Sequence, residues 1–229
     1  MEITPLGDSA LIVRVVDDFA RDPAASLNAV LAALRSLEAA AIPGVTEMAP
    51  SYSTVAVFFD PARIEPFERF KTTIGSVLKA SFVEDASRIE ARLIEIPVCY
   101  DREFALDLDV VARGAGLAEA EVSQRHSDAA YRVNCVGFIA GFPFMSGLPT
   151  ELATPRRAAP RKEVPAGSVA IGGAQTGIYP RNSPGGWNVI GRTPLRLFDV
   201  QREPPTILQA GDRVRFRKIS REEFDALSP

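Results

Sequence analysis

The spacing of apolar residues divides the chain into two parts of different texture. In the first hundred residues, apolar positions recur at helical spacing from 24 to 41 and again after residue 61. Short strand-like runs lie around these segments, at 10–16, 45–49, 54–59 and 89–98. The order β-α-β-β-α-β predicts a ferredoxin-like two-layer sandwich for residues 1–100.

The remaining residues, 101–229, open with a short helical section and then become rich in β-structure. Two helices are predicted at 106–115 and 117–125, broken at Gly116, within a lead-in that covers 101–130. Short apolar runs then alternate with Gly/Pro turns, a pattern typical of a β-barrel or sandwich. A last helix is predicted at 220–227, so the fold class is α+β with two domains.

Composition narrows the function classes. The chain is 46% hydrophobic and 24% charged, with a net charge of −3, which argues against a general nucleic-acid binder. One histidine and two cysteines, Cys99 and Cys135, do not make a zinc site of the usual kind. Without a basic leader or an apolar run of about 18 residues, we expect a cytoplasmic protein.

The glycine-rich run Gly172–Gly177 invites comparison with phosphate-binding loops. Gly177 is followed by Ile178 instead of the lysine of a P-loop, and Tyr179-Pro180 does not begin the helix that a dinucleotide fingerprint requires. The run is therefore a glycine-permitted turn that presents Gln175 and Thr176. It is either a plain β-turn or the polar rim of a ligand pocket.

Two single side chains have both a structural and a chemical interpretation. Trp187, the only tryptophan, either closes the end of a barrel or forms an apolar wall for a small planar ligand. His126 ends a predicted helix, where a cation is favoured by the helix dipole. General acid/base catalysis is the alternative role for His126, since adjacent Ser127 and Asp128 do not make a triad.

The segment 154–162 concentrates positive charge on a proline-stiffened stretch. Its cations are Arg156, Arg157, Arg161 and Lys162. Such a loop is often a solvated surface, yet guanidinium groups bind carboxylates and phosphates through paired hydrogen bonds. It is the best candidate anion site in the sequence. The Phe/Gly-rich run 136–148 is either buried core or an apolar wall.

Four motifs together resemble the KipI / allophanate hydrolase subunit 1 family. They are PLGDSALIV (5–13), GFIAGFPFMSGL (137–148), TPRRAAPRKEVPAGSVAIGGAQTGIYP (154–180) and SPGGWNVIGRTPLRLFD (183–199). The resemblance runs from about residue 3 to 216. Ala140 and Phe144 depart from it, since the family commonly has proline and tyrosine at these positions, and Phe144 is left out of the polar site for that reason.

The resemblance implies a small α/β domain followed by a cyclophilin-like β-barrel. It also implies the B subunit of an ATP-dependent 5-oxoprolinase complex, with ATP bound by the complex. The implied partners are the C subunit, of the allophanate hydrolase subunit 2 type, and the A subunit, of the LamB/YcsF type. The site residues it suggests are catalytic His126 and Arg157, with substrate-binding Arg156, Arg161, Gln175, Thr176 and Trp187.

Two other functions remain open within the same resemblance. Some members are described as inhibitors of a sporulation histidine kinase, which needs only a binding surface. Related domains also occur in urea carboxylase, which would give the chain a carboxyltransferase-type role in the conversion of allophanate or urea. None of the four lysines follows a methionine as a biotin-acceptor lysine does, so any biotin would come from a partner.

Overall fold

The computed structural model describes residues 2–64, 66–81 and 91–228, and the chain forms two compact units. The first unit is Met1–Glu90 and the second is Ala91–Pro229. Both combine helices with antiparallel strands, so the α+β class is confirmed. The division precedes the predicted boundary at residue 100. No helix in the described ranges has the length and apolar character needed to span a bilayer.

The first unit has one layer of strands and one of helices. Its antiparallel sheet has the order β1-β2-β4-β3, and its helices bury one apolar face each. The elements are β1 (Glu2–Pro5), β2 (Ala10–Arg14), α1 (Pro23–Ala39), β3 (Val45–Ser51), β4 (Thr54–Phe59) and α2 (Phe67–Ser81). The side chain of Asp22 caps α1 by accepting from Ala25 N–H at 2.9 Å, as its sequence position predicts.

The predicted fourth strand of this sheet is wrong. Residues 89 and 90 of that run lie outside the described residues, and the remainder forms β5 (Leu93–Val98), which pairs in parallel with β13 (Arg213–Lys218) of the second unit. The edge position of the first sheet belongs to β1, which pairs antiparallel with β2. The alternation of apolar and polar residues identifies a half-buried strand in the sequence but does not reveal which strand it pairs with. Here the partner strand lies more than a hundred residues away.

The second unit is built on a curled seven-stranded sheet of order β12-β9-β10-β7-β6-β13-β5. Its other strands are β6 (Ala130–Val136), β7 (Pro143–Ser146), β9 (Ser168–Gly172), β10 (Gln175–Ile178) and β12 (Asn188–Arg192), and a two-stranded sheet joins β8 (Arg161–Val164) to β11 (Ser183–Gly185). The two outer strands meet through Cys99 and Arg192, whose N–H and carbonyl groups exchange two hydrogen bonds of 2.9 Å. This bridge covers part of each edge that a flat sheet would leave open.

The described part of the second unit also contains a short 3-10 helix (Thr150–Leu152) and the α-helices α3 (Leu108–Ala115), α4 (Glu119–Asp128) and α5 (Arg221–Leu227). The break predicted at Gly116 is confirmed, because this residue ends α3 in the left-handed conformation with φ of 66°. Ser220 caps α5 by accepting from Glu223 N–H. The run 195–198, one of the short apolar runs expected to be β-structure, forms no strand, since Phe198 makes only an isolated bridge to Thr206.

The helix-end role predicted for His126 is wrong, because its side chain is completely buried. Burial lowers the pKa of His126 to about 3, so the ring is neutral. Nδ1 lies 2.8 Å from the Tyr100 hydroxyl and Nε2 lies 3.0 Å from Thr176 Oγ1. Since the Thr176 hydroxyl donates to the Ala170 carbonyl, Nε2 carries the proton and Nδ1 accepts from Tyr100.

This buried neutral ring predicts a loss of stability in acid. Below pH 6.5 the histidine binds a proton in the unfolded state but stays neutral in the folded state. The free energy of unfolding therefore falls as the pH decreases from 6.5 towards 3. Between pH 7 and 5 we expect the wild type to lose about 2 kcal/mol more than His126→Gln, which cannot titrate. The measurement is urea unfolding followed by Trp187 fluorescence, and equal pH dependences in the two proteins would contradict it.

Candidate functional site

A cavity of about 360 Å³ in the second unit is the candidate site. Five of its eleven lining residues are aromatic and two are arginine, a combination that suits a small ligand with one apolar face and one charged group. The lining residues are Phe138, Phe142, Phe144, Arg156, Arg157, Pro160, Tyr179, Pro184, Gly185, Gly186 and Trp187.

Glycines make room for the large rings of this wall. A Cβ at Gly172 would lie 2.5 Å from the Trp187 indole, and one at Gly185 would lie 2.3 Å from the Tyr179 hydroxyl oxygen. Neither glycine has a positive φ, so close approach explains them better than turn geometry does. The glycine-rich run Gly172–Gly177 therefore serves in part to seat the Trp187 indole, and Gly185 does the same for Tyr179.

Trp187 is the centre of the aromatic wall. Its ring meets Phe142 edge-on at 5.5 Å between centroids and Phe144 at 5.7 Å. Trp187 is 5% exposed. It packs in an apolar cluster and also faces the cavity, so the structural role and the role as a ligand wall are compatible. Burial raises the pKa of the neighbouring Tyr179, with Arg156 and Arg161 partly offsetting the rise.

Arg156 is the cation that the cavity leaves unpaired. Its guanidinium carbon lies 5.7 Å from the Trp187 ring centroid, within cation–π distance. Among the residues that the structure describes, no carboxylate forms an ion pair with it. An exposed guanidinium held over an aromatic face is well placed to bind the anionic group of a ligand.

Arg157 and Arg161 are instead bound to Asp107, a residue that the sequence did not single out. Arg157 Nη1 donates to Asp107 Oδ1 at 2.7 Å, and Arg161 donates to both carboxylate oxygens at 2.7 and 2.9 Å. The backbone N–H of Val189 gives Oδ2 a further bond of 2.8 Å. Asp107 is 1% exposed, so this is a buried ion cluster, not a free anion site.

The cluster still carries an excess of positive charge. Two guanidiniums share one carboxylate, and Arg157 Nε is buried without a hydrogen-bond partner in the described part of the chain. A buried N–H donor without a partner is uncommon in folded proteins and is often satisfied by a ligand or water. Together with Arg156, this donor gives the cavity an electrostatic preference for an anion.

The other predicted site residues lie elsewhere. The expected turn at 172–177 is a tight hairpin in which Gln175 already begins β10 opposite Gly172. Thr176 therefore points into the core and is bonded to His126, so its predicted position at a pocket rim is wrong. Gln175 is half-buried and does not line the cavity, and His126 is enclosed with Thr176.

Sequence reasoning gave the run 136–148 as core or an apolar wall but did not single out Phe138, which lines the cavity. Its ring is 68% exposed and stands edge-on to Phe142 at 5.8 Å. For Asp107 the available signal was its position directly before α3, but an aspartate there is more often a helix cap. For Phe138 the signal was the Phe/Gly-rich run 136–148, which is more often core. In the described ranges no group of three or more His, Cys, Asp or Glu side chains is placed to hold a metal ion.

Known proteins resemble this chain over nearly its whole length. The 5-oxoprolinase B subunit of Bacillus subtilis is 40% identical over 98% of this chain and 95% of that protein. The crystal structure of TTHA0988 is 35% identical with a TM-score of 0.76, and the match covers 92% of this chain but only 40% of that one.

A more distant neighbour shares the fold. The urea carboxylase of Kluyveromyces lactis is 19% identical with a TM-score of 0.72, over 98% of this chain and 22% of that protein. The model of the carboxyltransferase domain, subdomain C and D, matches residues 1–208. The relationship expected from the sequence motifs is thus confirmed: the chain belongs to the family of carboxyltransferase domains, subdomain C and D.

Proposed function

We propose that this chain is the B subunit of an ATP-dependent 5-oxoprolinase complex, which hydrolyses 5-oxoproline to L-glutamate. The observation that carries the proposal is the 40% identity to the Bacillus subtilis 5-oxoprolinase B subunit, which extends over almost the full length of both chains. The proposal includes the finer fold, with the second unit as a cyclophilin-like barrel and the first as a ferredoxin-like sandwich in which β1 takes the edge position of the fourth strand.

The cavity supports this substrate by shape and charge. 5-Oxoproline is a flat five-membered lactam with one carboxylate, so it needs an apolar slot with a cation at one side. The rings of Trp187 and Phe142 supply the slot, and Arg156 supplies the cation. Small-molecule sites typically combine an apolar wall with a few polar groups that set orientation.

The reaction also suggests a role for Arg157, the second arginine at the cavity. A lactam is a poor electrophile, and transfer of the ATP γ-phosphoryl group to the amide oxygen, with release of ADP, makes the ring carbon electrophilic. Water adds to this carbon, the ring C–N bond breaks to free the amine, and a second water hydrolyses the resulting acyl phosphate to L-glutamate and phosphate. Arg157, fixed by Asp107 and with an Nε–H that has no protein partner among the described residues, would stabilise the charge that develops on the amide oxygen. His126 is buried and neutral, so we assign it a structural role in the core rather than the proton transfer expected at first.

The proposed partners are the C subunit, of the allophanate hydrolase subunit 2 type, and the A subunit, of the LamB/YcsF type, with ATP bound by the complex. When all three proteins are combined with 5-oxoproline and ATP, we expect L-glutamate and ADP to form together, measured by coupled assays. Leaving this chain out should abolish turnover. Equal turnover by the two partners alone, or turnover that depends on urea, would refute the proposal.

Arg156→Gln removes the unpaired cation and should weaken substrate binding. In the assembled complex we expect KM for 5-oxoproline to rise about tenfold with little change in kcat, as for a charged hydrogen bond that is kept throughout the reaction. The matched control is Arg113→Gln, which removes a guanidinium from an exposed helix pair with Asp109. An unchanged KM in Arg156→Gln would place the carboxylate elsewhere.

Asp107→Asn should damage both stability and activity. Removing the charge leaves two guanidiniums without their partner, and breaking a buried ion pair typically costs about 3–5 kcal/mol. We expect a large fall in the free energy of unfolding of the second unit, followed by Trp187 fluorescence in urea, and loss of turnover. Asp109→Asn, close to it in sequence but exposed, should alter neither. Wild-type stability in Asp107→Asn would show that the cluster does not fix this segment.

A further inference from the structure

The loop between β6 and β7 holds an unusual backbone at Phe138. The carbonyl of Gly137 accepts from the N–H of Ile139 at 2.8 Å, and the residue between them, Phe138, has φ of 67°. An i to i+2 hydrogen bond around a positive φ is the pattern of a classic γ-turn, which is rare and strained. A bulky side chain in this conformation is an outlier that glycine would occupy without strain.

Neighbouring contacts hold this turn in place. The N–H of Gly137 donates to the carbonyl of Phe142, and the N–H of Phe142 donates to the carbonyl of Ile139, both at 3.0 Å. At the other end of the loop Gly141 approaches Phe198 so closely that a Cβ would lie 2.7 Å from the Phe198 Cβ. Strain that the surrounding structure maintains in this way is characteristic of functional positions.

The strained turn gains nothing for the core. Phe138 is 68% exposed, and among the aromatic residues of the described part of the chain it is the one that is largely exposed to solvent. It lies at the cavity and stands at 82° to Phe142, which in turn meets Trp187 edge-on. An exposed apolar ring beside an apolar cavity becomes buried once a flat ligand lies between it and the wall.

We propose that Phe138 covers the cavity, its ring closing over the flat face of the ligand and selecting planar rings. The strained γ-turn presents the ring to the ligand instead of letting it fold into the core. That the ligand is 5-oxoproline rests on the proposed function; the role of the ring as a cover rests on the turn, its exposure and the cavity.

The test compares Phe138→Gly with wild type in the assembled complex. We expect KM for 5-oxoproline to rise about tenfold while kcat changes by less than about threefold, since the ring contacts substrate and transition state alike. We expect the melting temperature to stay equal or to rise, because glycine adopts the positive φ freely. Phe138→Tyr, which keeps the ring, should recover most of the wild-type KM.

The matched control is Ala41→Gly, which relieves another positive φ (44°) on an exposed residue of the first unit and should leave KM unchanged. A second measurement needs no turnover: acrylamide quenching of the fluorescence of Trp187, the only tryptophan, in the full chain alone. Quenching should be faster in Phe138→Gly than in wild type, because the cavity has lost its cover.

Three outcomes would overturn the role of Phe138. They are unchanged quenching of Trp187, an unchanged KM in an active complex, or a Phe138→Gly chain that no longer co-elutes with its partners, which would make the ring part of an interface with them. If the wild-type complex does not turn over 5-oxoproline but Phe138→Gly still increases the quenching of Trp187, the proposed substrate is wrong. The role of Phe138 as a cover of the cavity is then still supported.

Discussion

Four hydrogen bonds converge on the carboxylate of Asp107, three from the guanidiniums of Arg157 and Arg161 and one from the backbone of Val189. A carboxylate that is 1% exposed is stable in a folded protein only when paired and fully hydrogen-bonded. Because an unpaired Asp107 would be unfavourable, its contacts hold the arginine segment against β12 and the start of α3. These contacts also shape the cavity, because Arg156, Arg157 and Pro160 of the same segment line it.

The strand β10 separates two environments of opposite character. Thr176 points to the inner side, where it joins a neutral network with His126 and Tyr100 whose donors are satisfied. Gly177 faces the other side, where Phe142 lies so close that a Cβ would be 2.8 Å from its ring. The inner network has no donor left for a ligand, whereas the cavity side has an unpaired cation and an unpartnered Nε–H. Ligand chemistry therefore belongs to the cavity side.

The side chains at the cavity are suited to binding a ligand, but few of them could take part in a chemical reaction. Aromatic walls and guanidiniums orient a flat anion and stabilise developing charge, but the described residues at the cavity include no carboxylate or histidine that would act as a general base. Such a protein is understandable as one part of a complex, in agreement with relatives that are named as one subunit of an enzyme.

The helix ends and the family could be predicted from the amino-acid sequence alone. The caps at Asp22 and Ser220, the break at Gly116 and the helical faces follow from contacts within a few residues, which the sequence displays directly. The long motifs identified the family because they extend over most of the chain. The three-dimensional fold was needed to show that β5 pairs with β13 and that Asp107 binds two of the three candidate arginines. It was also needed to show that His126 and Thr176 lie in the core while Phe138 faces solvent. These depend on residues dozens of positions apart, and on burial that changes a cation into a neutral ring, so no local pattern contains them.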